Sequence, residues 1–558
     1  MNKLLFNRRV FCGLIFLVFF GGWLAADEKT DKVDKLFAQW DTTVTPGCTL
    51  AIIKDGEIIY KRGYGMAKIE DGIVMTPSKI FDIGSVSKQF TATCLTMLIK
   101  EGKVSIDDDI RKYFPEMPKY EKPITVNHLI HHTSGLRDYN GLLELAGFRP
   151  ESDCPNVDEA LEVIFKQKKL NYAPGEEYSY TNTGYFLMGQ IVERVSGKSL
   201  NEFAQERIFK PLGMKHTIYQ DDHTQIIKDR ATGYDQTDKA YKIDLSNWDE
   251  TGDGNVYTSV EDLYLWDQAF YNNKLGQDIM GMLHTVGVLN NGKKIDYAFG
   301  LTVTEYKGLK VVEHGGSWAG FRAAIVRFPD QKFSAICLAN LSDINPSGLC
   351  FKVADIYLAD LLKEKPKEEK KKLEPISLSK QELEEKTGNY QDNKFGTWIS
   401  LAFKDEKLAA RLGGRREFVL APVSKTTFIA LDEPAEITIE FVPDAKGKPN
   451  KAVVKIEEEE RYNLVKAAPL SPFTPAKLKE YAGDYVSEEL LSAKYRFVVE
   501  KDNLILKFRS ASKEPLKAMA PDKFSLDGLN IEFFRKGDRV TGFNLSIGRA
   551  AAIEFVKK

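Results

Sequence analysis

The chain has few cysteines and histidines, and their spacing argues against two common kinds of stabilising site. Six of its 558 residues are cysteine and seven are histidine. Cys12 lies in an apolar N-terminal stretch, and the other five are scattered: Cys48, Cys94, Cys154, Cys337 and Cys350. An odd number of thiols without close pairs predicts neither a disulfide framework nor a zinc site. We expect no metal and no cofactor.

An excess of charge is also lacking. The formal net charge is −2, and no basic patch with interleaved aromatic residues is visible. We therefore expect no nucleic-acid partner. A hydrophobic content of 43% and a charged content of 28% are ordinary for a globular protein. The length suggests about two to four domains.

Long apolar runs are scarce outside the N-terminus. Residues 10–26 read "VFCGLIFLVFFGGWLAA", after the basic "MNKLLFNRRV". This order predicts a signal peptide over residues 1–26 and an exported protein, periplasmic or secreted. The run approaches the lower limit for a spanning helix, so membrane association through an uncleaved segment stays open.

The pattern of elements predicts an α+β domain followed by an internal repeat. Strands, then helices, then strands and a last helix indicate an α+β domain over residues 27–363. A charged linker follows over 364–376, so we expect the first domain to fold without the rest. Residues 377–470 and 471–558 share L-x-E-x-x-G-x-Y, in "LEEKTGNYQ" and "LKEYAGDYV". Their short alternating strands predict two small antiparallel β-barrels.

The stretch "FDIGSVSKQF" places Ser85 and Lys88 three residues apart at the start of an apolar helix. On a helix this spacing puts both side chains on one face. The same S-x-x-K spacing begins at Ser377 and Ser510, but no core helix follows there. The alternative for the first stretch is a helix capped by Ser85 or Ser87, with Lys88 in solvent.

Two further clusters follow. "YSYTNTGY" carries Tyr180 and Asn182 before a helix that begins near Gly184, and "EHGGSWAG" carries His314 on or after a strand. Taken singly, Tyr180 is typical of a core tyrosine and Asn182 of a helix cap.

In this order, the three clusters resemble the serine hydrolases that include class C β-lactamases, D-alanyl-D-alanine carboxypeptidases, D-aminopeptidases and related esterases. "LIHHTSGL", "PGEEYSYTNTGY" and "KPLGM" add to the resemblance. It implies a β-lactamase-like domain, with an antiparallel sheet flanked by helices plus a helical subdomain, and two lipocalin-like barrels. The third motif is then H-x-G at His314, whereas the literal K-T-G at Lys386 belongs to the first barrel.

The resemblance implies that Ser85 is the catalytic nucleophile, and chemistry limits what can activate it. A serine hydroxyl needs a base within hydrogen-bond reach. Lys88 can serve if its pKa is depressed, and Tyr180 can serve if nearby cations favour phenolate. The sequence leaves this choice open.

Four residues are expected to bind substrate. Asn182 would orient Lys88 and a substrate amide. By resemblance, His314 and Gly316 line the site, and the backbone N–H of Ser317 joins that of Ser85 as the oxyanion hole. Because histidine is mostly neutral at pH 7, we expect esters, or peptides with a free N-terminal residue, to be preferred over penicillins.

Other patterns carry no assigned chemistry. His128, His131 and His132 have a spacing that could suit a metal, but they match a family turn, so a structural role is expected. "GDGN" over residues 252–255 is expected to form a tight loop near the site.

The sequence thus predicts an exported serine hydrolase that cleaves an amide or ester through an acyl-enzyme, most like a D-aminopeptidase or esterase. A β-lactamase or D-alanyl-D-alanine carboxypeptidase is the alternative within this class. An inactive hydrolase-fold binding protein is the alternative of another class. The expected partner is a small molecule or short peptide, and homo-oligomer formation stays open.

Overall fold

The computed structural model describes residues 28–149, 152–238, 240–363, 375–392, 397–412, 417–431, 436–445, 447–456, 459–468, 473–508, 514–526 and 528–558. The predicted signal peptide, most of the predicted linker and Ser510 lie outside these residues. Among the helices within these ranges, none combines the length and apolar character that a membrane crossing needs.

The first domain is built on a six-stranded antiparallel sheet, whose strands in spatial order are β10 (Thr302–Tyr306), β11 (Leu309–Trp318), β12 (Phe321–Phe328), β13 (Phe333–Ala339), β1 (Cys48–Lys54) and β2 (Glu57–Tyr64). Central strands such as β13 are buried along their whole length, because helices cover both faces of the sheet. The first domain also contains short strands that pair outside this sheet: β3 (Met66–Lys68), β4 (Ile73–Val74), β5 (Phe81–Asp82), β6 (Ile218–Tyr219), β7 (Tyr234–Gln236), β8 (Tyr241–Ile243) and β9 (Val256–Thr258).

Helices form a subdomain on one face of this sheet and a cover on the other. They are α1 (28–37), α2 (Lys88–Lys100), α3 (Val126–Ile130), α4 (Tyr139–Ala146), α5 (Val157–Phe165), α6 (Asn182–Ser196), α7 (Leu200–Ala204), α8 (Lys210–Leu212), α9 (Val260–Asn272), α10 (Gln277–Met282) and α11 (Pro346–Tyr357). Helix α2 packs against α6. Its residues from Lys88 to Leu98 are buried, so it is a core helix.

The C-terminal repeats form one closed antiparallel barrel and one eight-stranded antiparallel half-barrel, here called the second barrel, in agreement with the predicted fold class. Strands β14–β21 close into a barrel. Strands β22–β29 form an eight-stranded sheet whose β24 edge meets the segment before β25 at Ile505 and Pro515. The elements are α12 (Lys380–Glu384), β14 (Gly388–Gln391), β15 (Trp398–Lys404), β16 (Lys407–Leu412), β17 (Phe418–Pro422), β18 (Thr427–Leu431), β19 (Ile437–Pro443), β20 (Pro449–Ile456), β21 (Glu459–Lys466), α13 (Pro475–Lys479), β22 (Gly483–Ser487), β23 (Ala493–Glu500), β24 (Asn503–Lys507), β25 (Lys517–Ala520), β26 (Lys523–Leu526), β27 (Leu529–Lys536), β28 (Arg539–Ile547) and β29 (Ala550–Lys557).

The second barrel docks on the helical subdomain through buried polar contacts. Arg137 and Glu489 form an ion pair of 2.7 Å, with 0% and 2% of their side chains exposed. Arg137 also donates to Gln167 Oε1 at 2.7 Å. The Tyr495 hydroxyl donates to the Leu145 carbonyl at 3.1 Å. Asn171 Nδ2 donates to the Arg549 carbonyl at 2.8 Å and so holds the turn between β28 and β29 against the first domain.

Candidate active site

Ser85 stands on a tight turn that joins β5 to α2. Gly84 has φ +49°, a conformation that favours glycine, and begins a 3₁₀ turn that runs to Ser87. The Asp82 carboxylate accepts from the Gly84 N–H at 2.7 Å and braces this turn. Neither Ser85 nor Ser87 caps the helix; the Ser87 hydroxyl instead accepts from the Val256 N–H at 3.1 Å. The interpretation as a capped polar helix start is therefore wrong.

Lys88 is fully buried beside Ser85 and is not solvated. Its Nζ lies 3.0 Å from Ser85 Oγ and 3.0 Å from Asn182 Oδ1, and it donates to the Asp253 carbonyl at 2.6 Å. Burial lowers the pKa of Lys88 to about 8, although Asp253 and Asp138 oppose the shift. A large fraction of this amine is therefore neutral at a mildly alkaline pH.

Tyr180 lies on the other side of the serine. Its hydroxyl is buried and makes no hydrogen bond of ordinary geometry within the part of the chain that the structure describes. Burial raises the pKa of Tyr180 well above its usual value, and the neighbouring Ser85 hydroxyl and Arg549 oppose this only in part. His132 packs against the phenol, with the ring centroids 4.2 Å apart. This environment favours a neutral phenol.

Strand β11 approaches the Ser85 turn at glycines. A Cβ at Gly84 would lie 2.8 Å from Ser317 N, and a Cβ at Gly316 would lie 1.9 Å from the Ile83 oxygen. Only residues without a side chain allow this approach. The Ser317 amide consequently lies beside the Gly84–Ser85 segment, where a pair of N–H donors could face one carbonyl oxygen.

His314 is buried on the same strand and is neutral. Burial and the Lys88 charge lower its pKa to about 4. Its Nδ1 lies 2.6 Å from the Gly315 oxygen and its Nε2 lies 2.9 Å from the Tyr297 hydroxyl. The proton is therefore on Nδ1, and Tyr297 donates to Nε2. Both ring nitrogens are engaged within the protein, so the ring lines the cleft without offering a free donor.

The loop of residues 250–255, which contains the "GDGN" stretch expected to lie near the site, enters the site. It leads into β9, which pairs with β5 and so brings Asp253 to Lys88. Burial raises the pKa of Asp253 to about 6, while Lys88 opposes the shift. Glu250 and Trp248 line a small cavity next to Ser85, together with Asn140 of α4. No spacing in the sequence pointed to these residues.

A larger cavity of about 710 Å³ opens from Ser85 towards β11 and is rich in positive charge. Arg322 and Arg549 line it, and no carboxylate side chain is among its described lining residues. Arg549 comes from the second barrel. Its guanidinium lies 5.1 Å from the centre of the Tyr180 ring, and its Nη1 lies 3.5 Å from Asp138 Oδ2.

The histidine cluster has structural roles. His128 Nδ1 accepts from the Thr125 N–H at 3.1 Å as part of a capping box. The two ring nitrogens of His131 lie 3.1 Å and 3.2 Å from the Asn127 and Thr285 carbonyls, and its single N–H donates to one of them. His132 supports Tyr180, as described above.

Two other residue sets lie outside the catalytic cleft. The Lys386 ammonium of the literal K-T-G donates to the Glu382 carbonyl within the first barrel. A donor set that could hold a metal ion does exist: ligand atoms of Cys154, His223 and Asp249 lie within 4.8 Å of one another. These three are far apart in sequence, so spacing could not reveal them.

Comparison with known proteins agrees with this geometry. The beta-lactamase family model matches residues 33–349. Penicillin-binding protein 4* of Bacillus subtilis (strain 168) is 29% identical over 417 residues, which cover 70% of this chain and 90% of that protein. A D-aminopeptidase of Gluconobacter oxydans (strain 621H) is 31% identical over 298 residues, which cover 53% of this chain and 56% of that protein. The match therefore spans little more than half of this D-aminopeptidase.

A solved structure shares the fold over most of the chain. The octameric penicillin-binding protein homologue from Pyrococcus abyssi superposes with a TM-score of 0.54 and 25% identity, covering 78% of this chain and 100% of that chain. The family model itself covers more than half of the sequence. The chain therefore belongs to the beta-lactamase family and is a serine hydrolase.

Proposed function

We propose that this chain is an exported hydrolase that cleaves an amide or ester bond through an acyl-enzyme on Ser85, most like a D-aminopeptidase or an esterase. One observation carries the proposal: Lys88 Nζ lies 3.0 Å from Ser85 Oγ, and burial lowers the pKa of Lys88 to about 8. A buried amine in this position can be neutral and accept the serine proton.

Acylation follows from these contacts. Neutral Lys88 takes the proton of Ser85 Oγ as that oxygen attacks the substrate carbonyl carbon. The backbone N–H groups of Ser85 and Ser317 stabilise the resulting oxyanion, a contribution of about 3 kcal/mol per donor in comparable sites. The tetrahedral intermediate then expels the amine or alcohol, which takes a proton from the Lys88 ammonium. Tyr180 stays a phenol and can pass that proton by hydrogen bonding.

Deacylation repeats the cycle with water. Neutral Lys88 takes a proton from the water that attacks the acyl carbon, and the Ser85 oxygen leaves and regains a proton from the Lys88 ammonium. Asn182 accepts from Lys88 throughout and leaves its amide N–H₂ free to hold the substrate.

The D-aminopeptidase relatives support an aminoacyl substrate, and the neutral His314 agrees with this. A substrate without a carboxylate loses no binding free energy at a site where His314 carries no charge. Simple acyl esters would react by the same path, because acylation needs only the carbonyl and a leaving group.

A specific observation favours a second candidate, a β-lactamase or D-alanyl-D-alanine carboxypeptidase. Arg322 and Arg549 line the large cavity from Ser85, so it offers positive charge even though His314 is neutral. Guanidinium groups bind carboxylates well.

Export is supported by the basic and apolar order of residues 1–26. The octameric state named for the Pyrococcus relative supports a homo-oligomer here too. Cell fractionation and light scattering would test these two points separately.

A substrate panel tests the proposal. We would measure kcat/KM for a D-aminoacyl amide, an acyl ester, a D-Ala-D-Ala peptide and a β-lactam with wild type, Ser85→Ala and Ser87→Ala. The proposal expects turnover of the first two, loss of all turnover in Ser85→Ala and retention in Ser87→Ala. Fastest turnover of the β-lactam or the D-Ala-D-Ala peptide would establish the second candidate, and no turnover at all would favour an inactive binding protein.

A further inference from the structure

A small cavity of about 40 Å³ adjoins Ser85 on the side opposite the arginines, and it shares Ser85, Asn182, Ser317 and Trp318 with the arginine-lined opening. Asn140, Trp248 and Glu250 form its inner wall, and Asn182 and Asp253 lie beside it. It is large enough for a few non-hydrogen atoms. A bound group in this cavity would therefore lie next to the bond that Ser85 attacks.

The inner wall carries polar atoms without partners. Both carboxylate oxygens of Glu250, Oδ1 of Asn140 and Nε1 of Trp248 make no hydrogen bond to any described residue. Glu250, Asn140 and Trp248 are 3%, 8% and 4% exposed, so bulk water has little access to these polar atoms. A buried carboxylate without a donor is costly, and a protein keeps such a group where a ligand completes it.

No cation is among the described groups that act most strongly on Glu250. Asp253, Asp249 and Glu159 act on it, and all three are acidic. Burial, with these three groups, raises the pKa of Glu250 to about 8, although the backbone N–H of Glu250 itself opposes the shift. The free carboxyl is therefore largely protonated at pH 7 and ionises when a cation binds beside it. Lys88 does not stabilise the ionised form, because its ammonium is directed at Ser85, Asn182 and the Asp253 carbonyl. A positive group brought by a substrate would be strongly favoured at Glu250.

The hydrogen-bond donors and acceptors in the cavity wall limit which chemical group can bind there. With Glu250 ionised by the incoming cation, Glu250 and Asn140 offer three acceptor oxygens, and a primary ammonium offers three N–H donors in a compact volume. A planar guanidinium is larger than a primary ammonium and fits this small cavity less well. A metal ion fits poorly because the indole N–H of Trp248 is a donor and cannot be a ligand.

We propose that this cavity binds the free α-ammonium group of the substrate, held by Glu250 and Asn140. The preferred substrates are then amides and esters of amino acids, or peptides, whose N-terminal amine is free and lies one carbon from the carbonyl that Ser85 attacks. This inference rests on the proposed function, since it concerns the same nucleophile.

The test compares substrates that differ only in the amine. These are alanine p-nitroanilide in D and L forms, its N-acetyl derivative and propionyl p-nitroanilide, each assayed with wild type, Glu250→Gln and Asp249→Asn. We expect wild type to prefer the better alanine isomer over the propionyl compound by about 100-fold in kcat/KM, as a buried charged hydrogen-bond pair allows. Glu250→Gln should reduce this preference to below about tenfold.

Asp249→Asn is the matched control. Asp249 is the neighbouring carboxylate, but it pairs with His223 and does not line the cavity. This variant should keep the wild-type preference. Circular dichroism and thermal unfolding establish whether each variant is folded.

Binding without turnover gives a second readout. In Ser85→Ala, calorimetry should detect alaninamide at a concentration where propionamide does not bind. If Glu250→Gln failed to fold, the wild-type substrate ratio and this binding comparison would still decide the question.

The outcomes separate this inference from the proposed function. Wild type that hydrolyses acyl esters through Ser85 but treats free and N-acetylated amines alike overturns the ammonium site alone. An unchanged preference in folded Glu250→Gln does the same. Wild type that hydrolyses none of the esters or anilides overturns the proposed function.

Discussion

The guanidinium of Arg549 lies over the ring of Tyr180, 5.1 Å from its centre, although the two residues belong to different domains. Arg549 follows Gly548 in the turn between the last two strands of the second barrel, and Gly548 has φ +46°. The barrel thus adds a positive charge to the catalytic cleft. Its separation from Asp138 is long, at 3.5 Å, and its side chain is half exposed, so the charge can also face a ligand.

Replacing Arg549 should change substrate choice more than turnover of neutral substrates. We expect Arg549→Ala to lower kcat/KM for a D-Ala-D-Ala peptide by about tenfold or more, the contribution of one charged hydrogen bond. A neutral acyl ester, compared in the same assays, should lose less. Arg549→Lys should recover part of the difference, because it restores the charge but not the planar fork. An equal loss for both substrates would show that the residue supports Tyr180 alone.

The pH profile should reveal the base. Lys88 must be neutral to accept a proton, and burial lowers its pKa to about 8. The kcat/KM for a neutral ester should therefore rise as the pH rises towards 8 and level off above it. The midpoint belongs jointly to Lys88 and Asp253, whose pKa is raised to about 6. Lys88→Met should lower kcat/KM by about 100- to 10,000-fold, the usual contribution of a general base. A flat profile in the wild type would contradict this role.

Tyr180 offers a discriminating comparison. Burial keeps its pKa well above that of an ordinary tyrosine, so it should act as a neutral hydrogen-bond donor. Tyr180→Phe should lower kcat without moving the midpoint of the pH profile. A midpoint that disappears in Tyr180→Phe would make the phenolate the base.

The adjacent glycines of β11 provide a matched pair. A Cβ at Gly316 would lie 1.9 Å from the Ile83 oxygen, whereas at Gly315 the nearest atom is the movable Ser347 hydroxyl at 3.2 Å. Gly316→Ala should push the strand away from Ser85 and reduce kcat/KM by about 100-fold, the scale found when an oxyanion donor is lost. Gly315→Ala should stay within about threefold, since its neighbour is the end of a flexible side chain. Similar activity in the two variants would place the oxyanion hole elsewhere.

The buried pair of Arg137 and Glu489 should control how firmly the second barrel is attached. Arg137→Met leaves a buried carboxylate without its cation, which costs about 3–5 kcal/mol in comparable cases. Adding Glu489→Gln should restore part of this loss, because the glutamine carries no charge and its amide oxygen can still accept from the backbone N–H of Lys168. Lys168→Met, which breaks the exposed pair with Glu488, should cost about 1 kcal/mol or less. Urea unfolding of the full chain would measure the free energy of unfolding of wild type, of the two single variants and of the double variant. Equal stability of Arg137→Met and wild type would show that the barrel does not depend on this pair.

Local sequence patterns predicted the centre of the site but not its walls. Helix periodicity placed Ser85 and Lys88 on one face, and the helix start after Tyr180 placed Asn182 nearby. Glu250 and Arg549 reach the cleft only through tertiary packing, and neither has a local motif. The charged linker suggested an independent first domain, yet Arg137 of that domain is buried against the second barrel. A domain cut near Lys371 would expose this arginine and its partners.

The most direct measurement is the attachment site of a fluorophosphonate on the intact protein, found by peptide mass spectrometry. The account predicts one modified peptide, with the label on Ser85, and faster labelling as the pH approaches 8. It also predicts no label and no ester hydrolysis in folded Ser85→Ala, while Ser87→Ala is still labelled. A label on Ser377 or Ser510, or labelling and turnover that persist in Ser85→Ala, would contradict the assignment of Ser85 as the nucleophile.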